Sequence, residues 1–242
     1  MIEVESLSKY YEDFPAVADL SFTVSSGEVL GLVGPNGAGK TTTLRCLAGI
    51  IPLSRGAVRI AGHDLFRTPL EAKRALSFFS DEPRLFEFLS VQQHLEFVAR
   101  IYQVTDGGER SRQLLQDLEL AEVAAQLPAQ LSRGMKQKVA LACGFLHQPR
   151  AMFFDEPLTG LDPMAIRRTK DLIRQQAAAG VAIVISSHLL HLLEEVCSHV
   201  LVLKKGRTVS YDTLDRIRQS ADGETLSLEE IFIRLVGEDA NS

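Results

Sequence analysis

The first chemical signal is an eight-residue run, Gly34-Pro35-Asn36-Gly37-Ala38-Gly39-Lys40-Thr41, of the form G-x-x-x-x-G-K-[ST]. Its glycines lack Cβ, so the backbone can turn tightly and approach a ligand with successive N–H groups pointing inward. A helix opening just after the loop would add the positive end of its dipole, and the whole suits phosphate oxygens. Lys40 is placed to reach the β- and γ-phosphates of a nucleoside triphosphate, with Thr42 beside the loop. The Thr41 hydroxyl is placed to hold Mg²⁺. A second signal is Asp155-Glu156 at the end of the apolar run Ala151-Met152-Phe153-Phe154. Alone, such a pair reads as a solvated loop. Beside a phosphate loop, Asp155 is the second metal anchor and Glu156 the group that orients and deprotonates an attacking water.

These residues need rigid elements to position them. Glu28-Val29-Leu30-Gly31-Leu32-Val33 reads as a buried strand, and Thr42-Thr43-Leu44-Arg45-Cys46-Leu47-Ala48 as the start of a helix. Alternation over 2–7, 20–24 and 57–61 predicts short strands that form an antiparallel patch beside the main sheet. From Ser90, a candidate N-cap, Val91, Leu95, Val98 and Tyr102 mark one helix face, and Leu114, Leu115 and Leu118 another. A third helix is expected from about Arg133 to His147, where Pro149 stops it. Parallel strands are expected at 151–154 and 181–185, a helix between them at 165–179, a hairpin around Lys205-Gly206 and a capped helix from Ser227. The expected organisation is one domain over 1–242. An α/β core covers 1–84 and 148–210, a helical lobe is inserted at 85–147, and a tail covers 211–242.

Composition narrows the function. The chain has 242 residues and a formal charge of −5, with charges of both signs mixed along it. This argues against nucleic acid as the main partner, because neutralising phosphates needs a basic face. Cys46, Cys143 and Cys197 lie far apart, which fits neither a zinc site nor a disulfide framework and suggests a reducing compartment. No apolar run approaches the ~20 residues that span a bilayer, and the acidic N-terminus is unlike a signal peptide. The expectation is a cytoplasmic protein that reaches a membrane only through another protein. His63, His94, His147, His191 and His199 show no metal-like grouping.

Further motifs fall in the order of a known family, and the chain resembles the ATP-binding subunit of an ABC transporter. Leu131-Ser132-Arg133-Gly134-Met135 resembles the LSGGQ signature, with Ser132 and Gly134 as its nucleotide-contacting residues. Leu158-Thr159-Gly160-Leu161-Asp162 resembles the D-loop, and Ser186-Ser187-His188 the switch histidine, which implies that His188 contacts the γ-phosphate. Tyr11, next to Tyr10, matches the aromatic that stacks on adenine. The resemblance implies an α/β, RecA-like P-loop NTPase core with an antiparallel β subdomain and an inserted helical subdomain. It also implies ATP and Mg²⁺ as ligands, and hydrolysis to ADP and phosphate that drives a separate transmembrane permease. A second ATP-binding subunit, identical or not, would pack head to tail so that each signature closes over the other's nucleotide. The stretch Gly134-Met135-Lys136-Gln137-Lys138 and the short tail resemble exporter-type, ABC-2-like members.

Three departures stand out. Arg133 replaces the first signature glycine and Met135 stands where glutamine is usual. Asp81 takes the place of the Q-loop glutamine, where it can hold a metal-bound water but cannot donate a hydrogen bond while ionised. Phe86 and Phe88 border the lobe where the family receives a helix of the permease, and either core packing or docking accounts for them. Two rivals remain: a soluble, non-transport ABC ATPase, and a nucleotide-binding regulatory subunit without turnover.

Overall fold

The computed structural model describes residues 1–158, 163–219 and 226–237. The chain opens with β1 (Ile2–Tyr11), β2 (Phe14–Val24) and β3 (Val29–Val33), then α1 (Lys40–Leu47), β4 (Arg55–Ile60) and β5 (His63–Asp64). Next come α2 (Pro69–Arg74), β6 (Leu76–Phe79), α3 (Val91–Tyr102), α4 (Gly107–Asp117) and α5 (Arg133–Leu146). The second half holds β7 (Ala151–Asp155), α6 (Pro163–Ala178), β8 (Ala182–Ser186), α7 (Leu190–Glu194), β9 (His199–Lys204) and β10 (Arg207–Thr213). Two helices close it, α8 (Leu214–Arg218) and α9 (Leu228–Gly237). Part of the D-loop, 159–162, lies outside the described residues.

Among the described residues the strands form two sheets. One is antiparallel, in the order β2-β1-β4-β5; the other runs β10-β9-β3-β8-β7-β6. In the second sheet β6, β7, β8, β3 and β9 are parallel and β10 pairs antiparallel on one edge. Its inner strands β3, β7 and β8 are buried along their whole length because both faces are covered, and they are apolar up to Asp155 and Ser186 at the ends of β7 and β8. Alternation then sends successive side chains to different cores. Met152, Phe154, Ile183, Ile185 and Val202 join a core under the helical lobe and α6. Phe153, Val184, Leu30, Leu32 and Leu203 join a second core with α1 and the antiparallel sheet.

The lobe begins where Ser90 caps α3: its Oγ accepts from Gln93 N, and the Gln93 side chain accepts in turn from Ser90 N. That reciprocal pair satisfies two of the donors a helix start leaves open. Ser132 caps α5 in one direction only, its Oγ accepting from Met135 N at 3.3 Å. α5 lies close against β6, where a Cβ on Gly144 would sit 2.3 Å from the Phe79 ring. Phe79 stacks on Phe154 with ring centroids 4.5 Å apart, which ties lobe, edge strand and central strand together. The edge strand β6 has no clear signature in the sequence, since four residues are too few for a period. Regular structure also continues past 210, through the end of β10 and α8. Among the described residues, no helix is long and apolar enough to cross a membrane.

Candidate functional site: the phosphate loop and the carboxylates beside it

β7 ends beside the phosphate loop on Asp155, and Glu156 follows it directly. β3 leads into the loop, and α1 starts at Lys40 with Gly39 as its cap at φ 101°. That dihedral is strained for any residue with a Cβ, and a Cβ there would lie 2.6 Å from the Ala16 carbonyl. Lys40 Nζ donates to the carbonyls of Gly34 and Pro35 at 2.7 and 3.2 Å, so its charge sits over the loop. Asn36 and Gly37 are exposed, Pro35 and Thr42 half-buried, and Ala38 is packed into the core.

The parallel register sets Asp155 opposite Ser186 at the ends of β7 and β8. Asp155 Oδ1 accepts from Thr41 Oγ1 at 3.1 Å and from Ser186 Oγ at 2.9 Å. Ser186 Oγ also accepts from Glu156 N at 3.1 Å, so one fully buried hydroxyl holds both acids in place. Its position in the motif was visible, but nothing in the local spacing signals this double role. Glu156 takes φ 52°, a left-handed conformation that costs a non-glycine residue of order 1–3 kcal/mol and recurs at functional sites. Its Oε2 accepts from His188 Nδ1 at 2.8 Å and from His188 N at 3.2 Å. A carboxylate only accepts, so the proton of this contact sits on Nδ1.

Electrostatics mark the place as built for counter-charges. Burial holds the Lys40 ammonium below its ordinary range, with the carboxylates of Glu156 and Asp155 pulling the other way. Burial likewise pushes the Asp155 carboxyl up, against its bonds from Ser186 and Thr41, and the negative Asp81 adds to the rise. A buried cation short of an anion and a buried carboxylate short of a cation meet at the same loop. The hydroxyl of Thr41 and the carboxylate of Asp155 are hard oxygen donors of the kind Mg²⁺ takes. These residues therefore fit a magnesium–triphosphate.

Other sequence-predicted residues stand further off. Asp81 feels Asp155 through space, while its own Oδ1 accepts from Glu82 N at 2.8 Å. Tyr11 pairs with Phe14 across the β1–β2 turn, and Lys9 Nζ sits 5.1 Å from the Tyr11 ring centroid. Ser132 and Gly134 do not meet the phosphate loop of their own chain. They line a separate cleft of about 470 Å³ with Glu119, Lys138 and Arg168. Phe86 and Phe88 are 57% and 88% exposed, so neither ring is core.

The comparisons agree with this geometry. The family model described as ABC transporter matches residues 17–159. The ABC-type transporter ATP-binding protein EcsA of Bacillus subtilis is 30% identical over 242 residues, covering 99% of this chain and 98% of that one. The SkfA peptide export ATP-binding protein SkfE, also of Bacillus subtilis, is 33% identical and covers 98% of both chains. A solved ATP-binding subunit of an ABC transporter is 35% identical, with a TM-score of 0.91 over 97% of this chain and 99% of that one. The chain belongs to the ABC transporter family, as one of its ATP-binding subunits. It binds ATP with Mg²⁺ and hydrolyses it, and the hydrolysis drives movement of a substrate through a separate transmembrane subunit.

Proposed function

We propose that Glu156, held by Ser186 and facing His188, activates the water that cleaves the γ-phosphate of ATP. Oxygen of the water attacks phosphorus, the bond to the bridging β-γ oxygen breaks, and the proton passes to the Glu156 carboxylate. Lys40 and the backbone N–H groups of residues 34–42 bind the phosphates. His188 lies against the γ-phosphate, its ring oriented by the Nδ1–H that it donates to Glu156. Thr41 directly, and Asp155 and Asp81 through waters, would hold Mg²⁺, which when bound neutralises charge on the β- and γ-oxygens. Tyr11 stacks on adenine. The observation that carries this reading is the continuous set of bonds from Thr41 through Asp155 and Ser186 to Glu156 and His188.

Ser132 and Gly134 stand away from their own chain's loop, at a helix start with free N–H groups, which suits an anion brought by a second subunit. The two subunits then pack head to tail around two nucleotides and separate after hydrolysis, because only the triphosphate is held by both faces. The permease docks at the lobe–core seam, where a cavity of about 610 Å³ is lined by Phe86, Phe97, Tyr102 and His147. Attached there, the protein is peripheral on the cytoplasmic face of the membrane. Likeness to a subunit of peptide export supports an exporter-type assembly. The domain then divides as a core of 1–84 and 148–210, a lobe of 85–147 and a tail from 211. No observation favours the two rivals.

The test is phosphate release by the purified chain and its Glu156→Gln variant. The variant should bind ATP and release phosphate about 10²–10⁴-fold more slowly. Wild-type release that Glu156→Gln leaves intact would remove Glu156 from the chemistry.

A further inference from the structure

Two departures from the family's motifs, 52 residues apart in sequence, meet in the folded chain. Arg133 opens α5 on the lobe, and its Nη2 lies 3.5 Å from the carbonyl oxygen of Asp81, in the core loop after β6. This is a long contact, and the electrostatics around it matter more than the bond itself. The core loop carries two adjacent exposed acids, Asp81 and Glu82, and Asp81 is close enough to Asp155 to raise that carboxyl. The facing end of α5 is the reverse: its first turn holds no acid and begins with Arg133, with Lys136 three residues on. Among the described residues neither cation has a carboxylate within 4.0 Å. Cations at a helix N-terminus oppose the dipole, so this end lacks an anion in its own chain.

We propose that Arg133 is an anion ligand with two alternative positions. In this conformation it lies against the Asp81 loop of its own chain. On closure it moves to the triphosphate held by the second subunit, adding to the hold of Ser132 and Gly134. The inference rests on the head-to-tail reading above. In it, the acidic loop and the nucleotide compete for one guanidinium, so Asp81 resists closure and Arg133 favours it. The effect is Coulombic, and salt weakens it. In the family's usual signature a glycine at this position can make no such exchange.

The test is ATP-driven self-association of the full chain, followed by sedimentation velocity with Mg²⁺ in a Glu156→Gln background that slows turnover. Arg133→Gly should raise the ATP concentration at half-association about tenfold, the loss of one charge-assisted hydrogen bond. It should also flatten the salt dependence, while ATP binding by dilute, separate protomers stays as it was. Asp81→Asn should lower the half-association concentration about threefold, since only the attraction of an exposed charge is lost. That lowering should vanish in the Arg133→Gly, Asp81→Asn double variant. A lowering by Asp81→Asn that persists in the double variant would not depend on Arg133 and would overturn the proposal. Half-association unchanged by Arg133→Gly would overturn it as well. If the Glu156→Gln chain binds ATP but never associates, the head-to-tail reading fails and this inference falls with it.

Discussion

Ser186→Ala is the sharpest perturbation of the site, because it removes one oxygen from the interior and touches no proposed nucleotide contact. Ser186 is fully buried, and its Oγ donates to Asp155 Oδ1 at 2.9 Å and accepts from Glu156 N at 3.1 Å. After the change Asp155 Oδ1 keeps the Thr41 hydroxyl at 3.1 Å, and Glu156 N keeps the carbonyl of residue 186 at 3.2 Å. No buried donor is orphaned, since Glu156 N loses only one of two acceptors, and the main loss is the hydrogen bond to the ionised Asp155, about 1.5–3 kcal/mol. For a chain of this length that lowers the melting midpoint by about 3–12 °C. The loss should depend on pH. Ser186 stabilises the Asp155 carboxylate against burial, which raises its pKa, so the difference is full above the variant's still higher Asp155 pKa and is lost as pH falls through it and below the wild-type value. With the carboxylate less well held, half-maximal phosphate release should need up to about tenfold more Mg²⁺. Differential scanning fluorimetry between pH 7 and pH 4, with a magnesium titration of phosphate release at pH 7, measures both. A midpoint within about 1 °C of wild type at pH 7, or a deficit that does not shrink in acid, would refute this account of Ser186.

Other outcomes follow from the same contacts. Asp155→Asn should raise the melting midpoint while abolishing phosphate release. Asp155 takes both hydroxyl bonds on Oδ1, which an amide oxygen can accept, and its raised pKa means that ionisation destabilises the fold at every pH above that value. A lower midpoint would show that charge assistance outweighs burial. Lys40→Ala should remove the stabilisation by nucleotide. Wild type in ATP·Mg²⁺ at a hundredfold its dissociation constant gains about 2.7 kcal/mol, read as a rise of about 5–11 °C, and the variant should show none. Phe86→Asp with Phe88→Asp should leave the fold and ATP binding intact, since both rings are exposed, but lose co-purification with membranes that carry the permease. Retained co-purification would remove the seam as the docking place.

Local chemistry was readable in the sequence because it needs only near neighbours. The glycine turn, Lys40 and Thr41 lie within eight residues, and the apolar run before Asp155 announces a strand covered on both faces. The helix caps at Ser90 and Ser132 were legible for the same reason: each bonds within three residues. The edge strand β6 was not, since its four residues owe their state to pairing with β7.

What only the folded chain decides are the relations between distant segments. The left-handed backbone of Glu156 puts its carboxylate on His188, 32 residues on, and the parallel register brings Ser186 to Asp155 across 31. The exposure of Phe86 and Phe88, with two explanations open at the level of sequence, was settled by how the lobe packs on the core. Arg133 and Asp81 are separate oddities along the chain and neighbours in space. Sequence spacing encodes periods of two and 3.6 residues and the reach of a single turn, whereas register and lobe docking emerge from burying two whole cores at once.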